Sequence, residues 1–185
     1  MNIAWSKKVS DDFIKKLLRI CSKLGINPNY LMACIAFETG EAFTSSVRNR
    51  LSGATGLIQF MPQTAAALGT STAELAEMST VKQLDYVYKY FLPWKNKLYT
   101  LEDVYMAILW PRAIGRPIDY VLFDRNGNFP KAYIQNAGLD LNKDGKITKA
   151  EASQKVVAKL TKGLNEIRNL QLVNPIPEPK PMEIR

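Results

Sequence analysis

The stretch GINPNYLMACIAFETG, residues 25–40, is the part of the sequence that most clearly predicts a fold. Asn27 can cap a helix, and Pro28 suits its first position because proline lacks an amide hydrogen that would otherwise stay unbonded there. Residues 30–37 are apolar nearly all round the helix, which is typical of a helix buried in the centre of a protein. We expect Gly40 to end it.

Glu38 places a carboxyl group at the end of this apolar helix. Burial and the negative end of the helix dipole both disfavour the charged form, so its pKa should be raised. A carboxyl that stays protonated near neutral pH can donate a proton to a leaving group, as a general acid does in glycoside cleavage. The alternative for this helix alone is an ordinary Glu that turns to solvent or pairs with Arg48 or Arg50.

The composition narrows the chemistry further. The 185-residue chain has no histidine, which excludes Ser-His-Asp, Cys-His and histidine–metal mechanisms. Cys21 and Cys34 lie in apolar helical contexts outside any C-x-x-C motif, so we expect buried free thiols. Catalysis by a carboxylate is the simplest remaining option. The net charge of +8 favours an anionic partner such as nucleic acid, acidic lipid or a cell-wall polymer.

A second motif, GATGLIQFMPQTA, occupies residues 53–65. Together with Glu38-Thr39 and the helix before it, this motif resembles the lytic transglycosylase and goose-type lysozyme family, glycoside hydrolase family 23. Family members carry a stretch close to G-A-x-G-L-M-Q-x-M-P-x-T-A after a Glu that is followed by Ser or Thr. The resemblance covers about residues 20–110.

The resemblance implies a mainly α-helical, lysozyme-like domain that cleaves peptidoglycan. The bond would be the β-1,4 linkage between N-acetylmuramic acid and N-acetylglucosamine. Glu38 would be the catalytic acid, which later acts as the base. The residues expected to bind the substrate are Thr39, Ser52, Gly53, Gln59, Phe60, Met61, Tyr105 and Trp110.

The residue types of the motif suit this role on physical grounds. Gly53 and Gly56 allow tight turns and the close approach of a polymer. Gln59 can hydrogen-bond a sugar through both ends of its amide. Phe60 and Met61 would wall the cleft beside the acid and keep water away from it, and core packing is the alternative for each of them.

A second catalytic carboxylate, which glycoside hydrolases normally use, is not evident. Glu41 is the only other acidic residue between residues 38 and 73, and beyond Gly40 it need not share the face of Glu38. Lytic transglycosylases, which the chain resembles, use one Glu, while the substrate's N-acetyl group assists and its 6-hydroxyl attacks to leave a 1,6-anhydro end. Goose-type enzymes hydrolyse, with Asp residues that help to place a water. The lack of Asp in this loop favours a transglycosylase, and a hydrolytic lysozyme stays open.

The chain departs from the family at residues 105–111, YMAILWP, where members carry an Ala-Tyr-Asn segment whose Tyr contacts the catalytic Glu. Tyr105 or Trp110 could take that role, since each offers a large flat face for a sugar. The alternative is that Tyr105 belongs to the core and Trp110 covers the helix end. The altered segment also leaves open a non-catalytic, calcium-dependent peptidoglycan-binding or assembly protein on the same fold.

Residues 140–151, DLNKDGKITKAE, match the twelve-residue EF-hand loop at every position. We expect this EF-hand-like loop to bind a structural Ca²⁺ that pins the last helix, with Gly145 at the turn. A metal-free turn is the alternative. The expected ligands are the side chains of Asp140, Asn142, Asp144, Thr148 (through water or directly) and Glu151, and the carbonyl of Lys146.

The rest of the chain predicts helices joined by short loops. We expect one domain over residues 1–173, with its core at 10–125, and a proline-rich tail at 174–185. The turn signal DRNGN at 124–128 could join a small β-hairpin. Helices are expected at about residues 11–24, 28–38, 62–68, 73–78, 81–91, 100–109, 130–136 and 149–170. Ser10 can cap the first of them, and Gly25 is expected to end it.

The expected partner is bacterial peptidoglycan. No apolar run approaches the ~20 residues of a membrane span, so we expect no stable membrane insertion. The first thirty residues lack the continuous apolar region of a secretory signal. The small, basic chain resembles phage lysis enzymes, so we expect a monomer made in the host cytoplasm that reaches the cell wall through another factor or in the virion. Basic residues form no long run, so nucleic acid is not expected as a partner.

Overall fold

Eight α-helices and one two-stranded sheet make up the described part of the protein, a computed structural model that covers residues 2–173, with side chains as far as residue 167. The predicted tail at 174–185 lies outside the described residues. Within them, no helix is both long enough and apolar enough to cross a membrane. The elements are α1 (Asp11–Leu24), α2 (Pro28–Glu38), α3 (Pro62–Ala67), α4 (Thr72–Glu77), α5 (Thr80–Phe91), α6 (Leu101–Leu109), β1 (Val121–Asp124), α7 (Pro130–Gln135), β2 (Lys146–Thr148) and α8 (Lys149–Val173). The prediction of a mainly helical chain with a small amount of β-structure is confirmed.

α1 is amphipathic and is capped at both ends, as its sequence predicts. The Ser10 hydroxyl accepts a hydrogen bond from the amide of Phe13, and Gly25 ends the helix at φ +70°. Asp11 and Asp12 occupy the first turn, where the helix dipole favours anions. The buried side chains, Phe13, Leu17, Ile20, Cys21 and Leu24, recur at helical spacing along one side.

α2 is the central helix of the fold. The Asn27 side chain accepts a hydrogen bond from the amide of Asn29, and Pro28 stands at the first helical position. Each residue from 31 to 36 has no exposed surface, because α1, α6 and α8 all pack against this helix. α2 therefore places Glu38, its last residue, at the edge of the hydrophobic core.

The sheet differs from the hairpin predicted around residues 124–128. β1 pairs antiparallel with β2, so that Phe123 lies opposite Ile147 inside the predicted calcium loop. The turn itself is present, since the amide of Asp124 donates to the carbonyl of Asn128 at 2.9 Å. No strand follows it because Pro130, which has no amide hydrogen to give to a ladder, begins α7 instead.

A buried ion pair ties α6 to the start of α8. Lys149 Nζ lies 2.6 Å from Asp103 Oδ1, and the two side chains are only 4% and 9% exposed. Lys149 Nζ also donates to the carbonyl of Arg116, while the amide of Gly115 donates to the same Asp103 oxygen. These hydrogen bonds offset the loss of water that a buried pair suffers. The pair fixes the start of α8, which follows the predicted calcium loop, against the helix that carries Tyr105.

The N-terminal segment lies beneath α8. Trp5 is buried, its indole nitrogen donates to the carbonyl of Lys159 at 3.0 Å, and Lys162 Nζ lies 5.2 Å from its ring centroid. A Cβ at Gly163 would stand 2.5 Å from the Trp5 ring, so only glycine lets α8 pass this close. The hydrophobic core therefore reaches from Ile3 to Val156.

Both cysteines are buried and unbridged, as predicted. Burial raises the pKa of the Cys21 thiol to about 12. Burial first, and the neighbouring Glu38 charge second, raise the pKa of the Cys34 thiol as well. Neither sulfur is a candidate nucleophile, because the reactive form of cysteine is the thiolate.

Candidate functional site

The Glu38 carboxyl lies in mostly apolar surroundings at the C-terminal end of α2. Burial raises its pKa from 4.5 to about 7, in the direction that the sequence predicts. Among the residues that the structure describes, no cation forms an ion pair with it, so the alternative pairing with Arg48 or Arg50 is not observed. A carboxyl in this setting can hold its proton close to neutral pH.

Two tyrosines come close enough to Glu38 to feel its charge. Tyr105 on α6 is buried, and its ring meets that of Phe37 edge to face at 5.5 Å. Burial and the Glu38 charge raise the pKa of Tyr105, and they raise the pKa of Tyr90 to about 12. Both hydroxyls therefore remain protonated at neutral pH. The carboxyl therefore has two aromatic neighbours that do not take its proton.

Tyr90, on α5, is a member of the site that sequence reasoning missed. Its hydroxyl donates to the carbonyl of Ala107 at 2.7 Å, and its ring packs edge to face against Phe60 at 6.0 Å. No motif surrounds it. The only available signal was its place beside Phe91 on the apolar side of an amphipathic helix, which predicts packing and not a position near an acid.

Glu41 is turned away from Glu38 and towards α8. Its backbone is in the left-handed region at φ +70°. The carboxylate pairs with Lys159 and, at 2.6 Å, with Lys162. Hydrogen bonds from these two lysines hold the pKa of Glu41 below its usual value. Glu41 is therefore not a second carboxylate of the site, which agrees with the expectation that Gly40 separates the two acids.

The loop that holds the GATGLIQFMPQTA motif, residues 53–65, is fastened by Gln83, a second residue that sequence reasoning missed. The buried Gln83 amide accepts from the amide of Leu57 at 2.7 Å and donates to the carbonyls of Ser45 and Leu75. A Cβ at Gly56 would lie 2.4 Å from Gln83 Oε1, and Gly56 has φ +88°. The space that this glycine opens is thus filled by a side chain of the protein and not by a polymer.

Gln59 uses its amide nitrogen inside the loop. Nε2 donates to the carbonyls of Val47 and Gly56, each at 3.1 Å, and the backbone has φ +51°. The prediction that both ends of the amide are available to a sugar is therefore wrong for the nitrogen. Only Oε1 remains to accept a hydrogen bond from a substrate.

Phe60 and Met61 lie on opposite sides of the chain. Phe60 is 1% exposed and packs against Tyr90, so its expected place in the cleft wall is wrong and the core-packing alternative is correct. Met61 is 47% exposed. The two adjacent side chains point apart because the backbone is locally extended there, with the bridge from Thr55 to Phe60 ending just before α3.

Thr39 and Ser52 both bond to the backbone. Thr39 is buried, its hydroxyl donates to the carbonyl of Ile35 at 2.7 Å, and it accepts from the amide of Phe43. It ends α2 and is not open to a substrate, in contrast to the prediction. Ser52 is exposed and accepts from the amide of Ala54 at 3.3 Å. Gly53, next to it, turns the chain at φ +74°.

Trp110 lies just beyond the end of α6 and is partly buried. The rings of Phe123 and Phe129 each approach it with their centroids 5.0 Å away. Tyr105 is a core residue and Trp110 covers the helix end, so both parts of the packing alternative are observed. A partly open Trp110 beside an exposed Phe129 still leaves an aromatic surface for a ligand.

Asp140, the first residue of the predicted calcium loop, has only one of its two carboxylate oxygens in hydrogen bonds with the rest of the described chain. Tyr133 Oη and the amide of Gly145 donate to Oδ2 at 2.7 and 3.0 Å, while Oδ1 is buried and has no hydrogen-bond partner among the described residues. The Tyr133 hydrogen bond is the main cause that lowers the pKa of Asp140. The hydrogen bonds from Tyr133 and from the loop amides outweigh burial, which raises this pKa, so that the pKa is lowered overall.

Glu151, the last residue of the loop, joins the two loop ends. Its Oε1 accepts from the amides of Leu141 and Asn142 at 3.3 and 3.4 Å. Its Oε2 accepts from the amide and hydroxyl of Thr148 at 2.9 and 2.7 Å. The carboxylate therefore connects the start of the loop to its end, as a bidentate calcium ligand at this position would.

The remaining predicted ligands bond within the loop. Asn142 Oδ1 accepts from the amide of Asp144 at 2.9 Å, and Asp144 Oδ1 accepts from the amide of Lys146 at 2.8 Å. In the part of the chain that the structure describes, no three acidic or cysteine side chains converge as a ready-made metal cluster. The oxygen atoms of the loop are of the types that bind calcium. One of them, Asp140 Oδ1, has no hydrogen-bond partner among the described residues and is free to bind an ion.

Comparison with models of known protein families gives no match for this chain, and comparison with curated proteins gives none either.

Proposed function

We propose that the protein cleaves the β-1,4 bond between N-acetylmuramic acid and N-acetylglucosamine in peptidoglycan, as a lytic transglycosylase. The observation that carries the proposal is the environment of the Glu38 carboxyl. This carboxyl ends a buried helix, lacks an ion-pair partner among the described residues, and has its pKa raised to about 7 by burial. These are the properties of a general acid that works near neutral pH.

The reaction runs in two proton transfers at Glu38. The protonated carboxyl gives its proton to the glycosidic oxygen while the bond from that oxygen to the anomeric carbon breaks. The carbonyl oxygen of the substrate's N-acetyl group bonds to the anomeric carbon and stabilises the positive charge there. The Glu38 carboxylate then takes the proton of the 6-hydroxyl of the same sugar, whose oxygen attacks the anomeric carbon and releases the N-acetyl oxygen. The product carries a 1,6-anhydro ring.

The position of Glu41 favours this mechanism over hydrolysis through two carboxylates. Glu41 is held by Lys159 and Lys162 on the α8 side of the molecule. Burial is the cause of the raised pKa of Glu38, and no neighbouring acid contributes to it. A site with one carboxylate suits a reaction in which the substrate supplies both the assisting group and the attacking hydroxyl.

The setting that we propose is phage-mediated lysis of, or entry into, a bacterial cell. The protein would be a monomer made in the host cytoplasm that acts on the cell wall. Its net charge of +8 suits binding to an anionic polymer. The single acid suits chemistry on a polysaccharide.

We propose that residues 140–151 bind one structural Ca²⁺. The support is the buried, unpartnered Oδ1 of Asp140 together with the Glu151 carboxylate that reaches both ends of the loop. Asp140, Asn142, Asp144, Thr148 and Glu151 would hold the ion with their side chains and Lys146 with its carbonyl. The ion, when bound, would neutralise the loop's negative charge, and it takes no part in cleavage.

Product analysis tests the proposed reaction. Purified peptidoglycan is digested with the wild type and with Glu38→Gln, and the released fragments are weighed. Anhydromuramyl ends from the wild type are expected, and their absence from the variant digest. Reducing ends would mean a hydrolytic lysozyme of the same fold, and peptidoglycan that is bound but not cleaved would mean a non-catalytic binding protein.

A further inference from the structure

A cluster of two aromatic rings and one guanidinium group follows α6, and we call it the aromatic platform: Trp110, Arg112 and Phe129. The Trp110 and Phe129 ring centroids lie 5.0 Å apart at 69°. Arg112 Cζ lies 5.8 Å from the Trp110 centroid and 5.6 Å from the Phe129 centroid. Phe123 supports Trp110 from the interior, which fixes the platform to β1.

Phe129 occupies a position that costs free energy. Its backbone is left-handed, at φ 58° and ψ 51°, and it stands before α7 without a side-chain capping bond. Asn or Gly would suit both needs better, because a bulky residue is strained in this conformation. The ring that results is 42% exposed to solvent. An exposed ring on a strained backbone contributes little to the core, so the position suits a role in binding.

Arg112 is a cation without an anionic partner among the described residues. It is exposed, and its recorded contacts are with the two rings. Lys149, Lys159 and Lys162 each pair with a carboxylate instead. A guanidinium offers a planar fork of hydrogen-bond donors that matches the two oxygens of a carboxylate, and Arg112 places this fork beside two aromatic rings.

We infer that the aromatic platform binds the glycan strand at a sugar that carries a carboxylate-bearing peptide. The apolar face of a sugar ring packs on the aromatic surface, and Arg112 takes a carboxylate of the stem peptide. In peptidoglycan, the muramic acid residue carries that peptide. The inference rests on the proposed function and deepens it, because it assigns the peptide-bearing sugar a contact made by residues other than Glu38.

Sedimentation with insoluble peptidoglycan tests this inference in the Glu38→Gln background, where the polymer is not consumed. Phe129→Asn removes the ring and suits the left-handed backbone, so the variant is expected to fold. We expect it to weaken binding about fivefold. Arg112→Gln is expected to weaken binding about tenfold through the lost charge-assisted hydrogen bonds. Matched controls are Tyr99→Ala, an exposed ring elsewhere, and Arg19→Gln on the outer face of α1.

A neutral ligand distinguishes the contribution of the aromatic rings to binding from that of Arg112. A soluble chitin oligosaccharide has the sugar rings but no carboxylate, so Phe129→Asn should weaken its binding and Arg112→Gln should not. Peptidoglycan binding by both variants within about twofold of the controls would overturn the inference. Failure of the Glu38→Gln protein to bind peptidoglycan at all would overturn it too. Cleavage by the wild type tests the proposed function independently of either result.

Discussion

Glu38 and Asp140 are two shielded carboxyl groups, and their pKa values move in opposite directions. Glu38, at the end of α2, loses water and gains no hydrogen bond among the described residues, so its pKa rises to about 7. Asp140, at the start of the 140–151 loop, accepts hydrogen bonds from Tyr133 and Gly145, and its pKa falls. Shielding from solvent alone therefore does not decide what a carboxyl can do. The donors around it decide whether it holds a proton or a charge.

The same difference separates the two proposed roles. A group that keeps its proton near neutral pH can act as an acid, whereas a group that stays charged can hold a cation. The Tyr133 hydroxyl favours the charged form of Asp140, to which it donates a hydrogen bond. The same hydroxyl accepts a hydrogen bond from Arg125 Nη2 at 3.1 Å. The two regions are joined through the Lys149–Asp103 pair. Substitutions of Glu38, of Asp140 and of Lys149 in the buried pair test whether the two carboxyls differ in this way.

The largest expected effect is on catalysis. Glu38→Gln should lower peptidoglycan cleavage by about a thousandfold, because the amide cannot give up a proton. Glu41→Gln, three residues on, is the matched control and should stay within about threefold of the wild type, since its side chain pairs with lysines of α8. Release of soluble fragments from purified peptidoglycan measures both. Equal rates for the two variants would remove the distinction between these acids.

Loss of the connection between the regions should be the next largest effect. Lys149→Met leaves Asp103 buried without a counter-charge, which should lower the free energy of unfolding by about 3 kcal/mol. Lys155→Met, on an exposed part of the same helix, is the control and should cost little. Urea unfolding followed by circular dichroism gives both values. Similar midpoints for the two variants would mean that α6 and α8 hold together without the pair.

Calcium should stabilise the protein through the loop. At about a hundredfold excess over the dissociation constant, a bound ion adds about 2.7 kcal/mol to the free energy of unfolding. Asp140→Asn should abolish that gain, whereas Asp119→Asn, an exposed acid outside the loop, should keep it. Thermal melts with and without calcium measure the gain. A wild type that gives no heat in a calcium titration and an unchanged melting temperature would refute the proposed site.

The pH dependence of stability should run in opposite directions at the two carboxyls. The pKa of Glu38 is raised in the folded state, so the wild type loses stability as the pH rises from about 4.5 to about 7. Glu38→Gln removes that loss and should gain about 2 kcal/mol on the wild type between pH 4 and pH 8. Asp140 has a lowered pKa, so its contribution is present above the unfolded value and is lost in acid.

Calcium-free unfolding curves of the two variants from about pH 2 to about pH 8 measure the contrast. Asp140→Asn should fall further below the wild type as the pH rises towards about 4, the ordinary pKa of Asp, and the difference should then stay constant. If both variants follow the same trend against the wild type, hydrogen bonds and burial do not separate the two carboxyls as the structure indicates.

Local sequence signals predicted the helices well because their ends are local. Ser10, Gly25, Asn27 and Pro28 each act through contacts a few residues away, and the structure confirms all four. The β-strands were harder to predict because their partner is distant in the chain. The turn at 124–128 has the residues of a hairpin, yet β1 pairs with β2 inside the 140–151 loop.

The candidate site was predictable in part, for a similar reason. The acid could be found because its burial is a property of its own helix. Gln83 and Tyr90 reach the site from α5 through tertiary packing, which no local pattern of the chain records. Thr39 and Phe60 were misplaced because a motif gives residue types without saying which side of the backbone faces the interior.

The contact between Trp5 and α8 has a consequence for how the protein is made. The Trp5–Lys159 hydrogen bond joins residues 154 positions apart, and α8 packs directly on α2. Loops of this length must close before the interior around α2 is complete, so folding should be slow for a helical chain. The ribosome must release nearly all of the chain before Glu38 acquires its buried surroundings. Unfinished chains would therefore lack the raised pKa of Glu38, and with it the proposed activity, inside the cell that makes them.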